Sequence, residues 1–169
     1  MALIWVIDSC SIIEIKIIPT VIRPKVIAHL TTMVASSALV YPQQVIGELK
    51  SYATPKTLAT DVPYQWAKTH EAAGCHSDLL HREAKAILGA HDDLIDKQAT
   101  SQKEPADPYV IALAKKLRDQ GQDARIVTND IRQIHKKVSV SAVAGLMGIP
   151  STVMRIFLRG EGFPYSLGG

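Results

Sequence analysis

Leu3-Ile4-Trp5-Val6-Ile7-Asp8-Ser9-Cys10 is the stretch from which the rest of the chain is read. Five consecutive apolar residues end abruptly on an acid. A strand with one wet face alternates apolar and polar residues, whereas a run apolar at every position suits a strand covered on both faces, as in a parallel sheet between helices. Arg125-Ile126-Val127-Thr128-Asn129-Asp130 repeats the theme, a short strand running into an acid, and Leu39-Val40-Tyr41 reads as a third strand. Strands alternating with helical stretches predict a three-layer α/β/α sandwich with a mainly parallel central sheet. In such a sheet, ligands bind beyond the carboxyl ends of the strands. Asp8 and Asp130 fall there.

The helices follow from apolar spacing and from proline and glycine punctuation. Pro24 opens a helix with Val26, Ile27, Leu30, Met33 and Val34 on one side, while residues 11–18 fit a strand or a buried short helix equally well. Pro42 starts a helix predicted to turn Val45, Leu49 and Tyr52 inward and to carry Glu48 on the flank of that face, within reach of the sheet's end. After a loop at 54–61, residues 63–73 and 78–88 read as a helical hairpin over the sheet, closed by Gly74 and Gly89. Residues 92–97 add a helical turn, and 100–105 a polar loop. In Glu104-Pro105-Ala106-Asp107-Pro108-Tyr109-Val110, Asp107 reads as an N-cap and Pro108 as the first helical residue, with Val110, Leu113, Ala114 and Leu117 on the buried face. Residues 138–147 form a helix stopped at Gly148, and 149–160 are either an edge strand plus a helix or one helix.

Composition bounds the function. The 169 residues suit a single domain spanning 1–169, and 47% hydrophobic with 21% charged residues excludes a disordered chain. A net charge of +3 permits a nucleic-acid partner without arguing for one. Two cysteines, Cys10 and Cys75, make no disulfide framework, and no apolar run reaches membrane-spanning length. Asp8 comes too early for a signal peptide, so the expectation is a cytoplasmic protein with no membrane partner. The apolar face from Val26 to Val34 serves either as core or as the surface of a homodimer. No P-loop or GxGxxG fingerprint is present, which removes nucleotide binding of those kinds.

Four acids remain: Asp8 in Val-Ile-Asp-Ser-Cys, Glu48 in Val-Ile-Gly-Glu-Leu, Asp107 in Ala-Asp-Pro-Tyr-Val-Ile-Ala-Leu-Ala, and Asp130 in Val-Thr-Asn-Asp. In order and spacing these motifs resemble the PIN-domain signature, and Phe157-Leu-Arg-Gly-Glu-Gly-Phe163 resembles a subgroup of PIN-like proteins. PIN domains are small metal-dependent nucleases, many of them toxins of toxin–antitoxin pairs. The resemblance implies Asp8, Glu48, Asp107 and Asp130 as metal ligands and catalytic residues, with Ser9 and Thr128 orienting water or a ligand. It implies Mg²⁺ or Mn²⁺ as cofactor, RNA as substrate and a small DNA-binding antitoxin encoded alongside. The chain departs from the family at Asp8-Ser9-Cys10, which keeps the usual hydroxyl and loses the usual Asn amide.

The chemistry matches these residue types. Phosphodiester hydrolysis needs an activated water and a stabilised leaving oxygen; a hard divalent cation supplies both, and such cations take carboxylate oxygens. The expectation is a metal-dependent endoribonuclease. Its rivals are a phosphotransfer protein phosphorylated on Asp8, which lacks the paired acids of that chemistry, and a silent PIN-like scaffold that binds RNA or protein. His70, Cys75, His76 and His81 have no zinc-ligand spacing. Cys10 reads as a small core residue, Asp92, Asp93 and Asp96 as a solvated turn, and Arg132, Lys136 and Lys137 as phosphate contacts or a solvated loop.

Overall fold

β1 (Leu3–Ile7) is the middle strand of a five-stranded sheet, and Val6 and Ile7 in its carboxyl half are wholly buried. The computed structural model describes residues 1–76, 80–96, 105–132 and 137–166. The other strands are β2 (Leu39–Pro42), β3 (Cys75–His76), β4 (Asp123–Val127) and β5 (Ser151–Thr152), in the order β3-β2-β1-β4-β5. Every pairing is parallel. Helices flank the sheet, giving a three-layer α/β/α sandwich, and they cover both faces of β1 in its carboxyl half, while Leu3 at its start is exposed. From β1 the chain steps outward through β2 to β3, then crosses back to place β4 and β5 on the other side. The direction of winding therefore reverses between β1 and β4, and a crevice opens at such a switch point beyond the strand ends.

The β1–β4 register decides what lines that crevice. Leu3 pairs with Asp123 and Ile7 with Val127, so the next residues, Asp8 and Thr128, leave the sheet side by side. The Asp8 amide donates to the Val127 carbonyl at 3.1 Å, continuing the ladder one step past the strand. Asp8 then caps α1 (Ser9–Ile13), which passes into a 3₁₀ turn at Glu14–Lys16. The ambiguity at 11–18 thus resolves as helix, with Ile12, Ile15 and Ile18 fully buried.

α2 (Arg23–Ala35) carries Pro24 in its first turn and buries Val26, Leu30, Met33 and Val34, with Ile27 partly buried. α3 (Gln43–Tyr52) follows β2 directly and buries Val45 and Leu49. α4 (Val62–Thr69), α5 (Glu71–Gly74) and α6 (His81–Ala90) lead to the most enclosed helix, α7 (Asp107–Asp119), which packs across β1, β2 and β4. Ala112 and Ala114 on α7 have no exposed surface, and small side chains there let the helix lie close to the strands. Gly121, at φ +83°, ends α7 in the left-handed conformation glycine favours, and the Gln122 amide returns to the Leu117 carbonyl at 3.0 Å. α8 (Val140–Leu146) and α9 (Met154–Gly160) flank β5.

Several expectations need correction. The helix expected over 63–73 breaks at His70, and the hairpin is interrupted by β3, which pairs with Tyr41 and Pro42 of β2. The α6 helix runs through Gly89 instead of stopping there. Residues 92–96 form turns, not a helical turn, while residues 97–104, including Glu104 and most of the expected polar loop, lie outside the described residues. Tyr52 does not face inward; it is 59% exposed at the end of α3. Residues 149–160 prove to be an edge strand plus a helix.

Candidate functional site

Asp8 is the deepest member of the site, 2% exposed at the end of β1. Its carboxylate accepts the Ser11 amide at 3.0 Å and the Cys10 thiol at 3.0 Å, and also takes a hydrogen bond from the Thr128 hydroxyl. Burial pushes its pKa up, while the Cys10, Thr128 and Ser11 donors pull the other way. As the N-cap of α1 it has a structural use that its position after a buried strand did not suggest. Cys10 is not simply a core filler. Its thiol is spent on Asp8, it accepts the Asn129 amide at 3.2 Å, and burial followed by the Asp8 charge holds it far above the ordinary thiol range.

Glu48 reaches back from α3 and ties three elements together. Its carboxylate accepts the Ser9 hydroxyl from α1 and, at 3.0 Å, the backbone amide of Ala106 at the entry to α7. Ser9 and Thr128 therefore act on carboxylates: Ser9 orients Glu48 and Thr128 orients Asp8.

Asp107 was expected to cap its helix and does not. Ala106 is the N-cap, Asp107 is the first helical residue, and no side-chain capping bond is made. Its carboxylate instead lies 2.7 Å from the Lys137 ammonium. Burial pushes its pKa up to about 7, Lys137 opposes the rise, and the charges of Glu48 and Asp8 add to it. Asp107 thus feels the charge of two of the other acids.

Asp130 follows β4. Its amide donates to Thr128 Oγ1 at 3.0 Å, and its carboxylate accepts the Val140 amide at the start of α8 and the Lys137 ammonium, at 3.0 and 2.9 Å. Burial depresses the Lys137 pKa, but Asp107 and Asp130 together hold it above the ordinary lysine value. Lys137, expected as a phosphate contact or part of a solvated loop, instead pairs with Asp107 and Asp130. Between three nearby basic residues nothing in the chain said which would turn inward; Lys136 lies outside the described residues and Arg132 is exposed.

Tyr52 stands nearby. Partial burial of its phenol, then the Glu48 and Asp107 charges, push its pKa up to about 12.

The arrangement brings Asp8, Glu48, Asp107 and Asp130 to the same end of the sheet, linked by Ser9, Thr128, Ala106 and Lys137. Among the described residues, no three His, Cys, Asp or Glu side chains are grouped closely enough to hold an ion as they stand. Two features nevertheless fit a hard divalent cation: the donors of the four acids are all oxygen, and an ammonium already stands between two of them as a positive charge. Of the His70-Cys75-His76-His81 set, His70 lies against the Thr31 hydroxyl at 3.2 Å and His81 against the Tyr109 hydroxyl at 2.6 Å.

A family described as a domain of unknown function, DUF4411, matches residues 5–165. The chain belongs to the DUF4411 family. The match takes in all four acids, Lys137 and every strand except the first two residues of β1. No curated protein matches the chain. Among the described residues no helix is long and apolar enough to cross a membrane.

Proposed function

We infer that this DUF4411 chain is a metal-dependent endoribonuclease of the PIN type, acting at the β1–β4 switch point. The single observation that carries the reading is the convergence there of four carboxylates from four separate elements, with burial and mutual charge holding Asp107 near pH 7 in its protonation. Burying acids together is unfavourable unless a cation relieves them. Asp8, Glu48, Asp107 and Asp130 would hold Mg²⁺ or Mn²⁺. A cation so held supplies an acidified water and charge neutralisation on the phosphate.

The chain's own groups do the rest. Thr128, Cys10 and the Ser11 amide aim the Asp8 carboxylate, and Ser9 with the Ala106 amide aims Glu48. These second contacts fix carboxylate orientation, which a site of this kind needs as much as the ligands themselves. Tyr52, exposed beside the acids, offers a ring on which a base of single-stranded RNA can stack. The cellular setting the reading suggests is the toxin of a toxin–antitoxin pair, restrained by a small DNA-binding antitoxin.

The second reading, a silent RNA- or protein-binding scaffold, is favoured by one observation: Lys137 already neutralises part of the cluster. One assay separates the two. Wild-type protein with Mg²⁺ or Mn²⁺ is expected to cut RNA, leaving 5′-phosphate and 3′-hydroxyl ends, and a 2′-deoxy residue at the cut position should still be cleaved, because water and not the 2′-hydroxyl attacks. Asp8→Asn should lower the rate by about two orders of magnitude or more, and should also relieve any growth arrest on expression. No cleavage by folded wild type, or products ending in 2′,3′-cyclic phosphate, would sink the nuclease mechanism.

A further inference from the structure

The Lys137 ammonium lies 2.7 Å from Asp107 Oδ2 and 2.9 Å from Asp130 Oδ2, so one nitrogen bridges acids from the start of α7 and the segment after β4. The other two acids are held differently. Asp8 is met by a thiol, an amide and a hydroxyl, and Glu48 by a hydroxyl and an amide, all of them neutral donors. Among the described residues, full positive charge is thus placed at one position of the cluster, between Asp107 and Asp130.

How Lys137 is mounted matters as much as where it points. It precedes α8, and its neighbour Val138 donates its amide to the Asp93 carbonyl at 2.8 Å, which anchors the backbone. The ammonium rides on a flexible four-carbon stem and is about a quarter exposed, so it can swing to solvent without moving the backbone. Like charges a few ångströms apart repel strongly in a partly dry site. A divalent cation held by Asp107 and Asp130 would compete with the ammonium for their Oδ2 atoms, and the two positive charges would repel each other there.

We propose that Lys137 is a displaceable internal counter-ion: its ammonium holds the bridging position between Asp107 and Asp130, and a divalent cation enters that position only by displacing it. This rests on the reading of the acids as a metal site. Without metal, Lys137 keeps Asp107 and Asp130 from driving the crevice open. With metal, the site must first give up its ion pair, and apparent affinity falls by the fraction of molecules in which the pair is open.

The test is calorimetric titration of Mn²⁺ into metal-free wild type, Lys137→Gln and Lys137→Arg, with folding checked by circular dichroism. Lys137→Gln keeps the length and loses the charge, and should bind Mn²⁺ roughly tenfold tighter or more, the equivalent of one charge-assisted hydrogen bond. Lys137→Arg keeps the charge, pairs with carboxylates at least as well, and should bind at or below wild-type affinity. Wild-type or weaker affinity in Lys137→Gln overturns the proposal and leaves the metal site standing. Tighter binding in Lys137→Arg overturns it even where the Gln variant does not fold. Absence of Mn²⁺ binding in all three proteins overturns both the proposal and the metal reading.

Discussion

Asp107 shows how one residue can be legible in kind and misread in role. Asp-Pro before an apolar stripe is a helix start, and α7 does start there, but capping falls to Ala106 and the carboxylate faces Lys137. The difference has a measurable consequence. The ordinary value of its pKa is 3.8, and burial raises it to about 7 in the folded, metal-free protein. Between those values the folded state keeps a proton that the unfolded chain has lost, so stability contributed by this group falls as pH rises from about 4 through 7. Asp107→Asn removes that dependence. Its melting temperature relative to wild type, in chelator, should therefore improve from pH 5 to about pH 7 and level off above that; a difference that does not change with pH would mean Asp107 is an ordinary ionised acid. Lys137 and Cys10 were beyond reach of the sequence for a simpler reason. Nothing in a run of basic residues or a lone cysteine says which way a side chain turns; Lys137 meets Asp107 and Asp130 only in the folded chain, and Cys10 turns back on Asp8 two residues before it.

At the scale of elements, legibility tracked length. β1 and α7 carry five and thirteen residues of unbroken pattern and were read correctly as elements, whereas β3 and β5 have two residues each and no period to detect. β3 is held by its pairing with β2, and the approach to it is sterically tight. Gly74, just before it, packs so tightly that an added Cβ would sit 2.7 Å from Val34 Cγ1 and 2.9 Å from Tyr41 Cε1. Neither neighbour has room to yield: Val34 is 1% exposed and Tyr41 is fully buried, with its hydroxyl donating to the Ala67 carbonyl at 2.7 Å. Overpacking of this kind costs about 1–3 kcal/mol. Gly74→Ala should lower the melting temperature accordingly, and an unchanged denaturation midpoint would show that α5 and β3 are not packed as described.

The whole molecule reduces to one consequence of parallel winding. Because the chain turns outward from β1 to β3 and then recrosses to β4, the ends of β1 and β4 lie side by side, and Asp8, Thr128 and Asp130 meet there. The alternation of apolar strands and helices made that topology readable, and with it the end of the sheet where the acids gather. The sequence could not say how closely they gather, or that the chain would supply its own cation. The central claim, that these acids form a site for a divalent cation, is tested most directly by the melting temperature with and without Mn²⁺ in wild type and Asp107→Asn. A ligand of the native state stabilises it by mass action, about 2.7 kcal/mol at one hundred times its dissociation constant. The account predicts a clear rise in the wild type and a blunted one in Asp107→Asn; equal shifts in the two proteins, or none in the wild type, would contradict it.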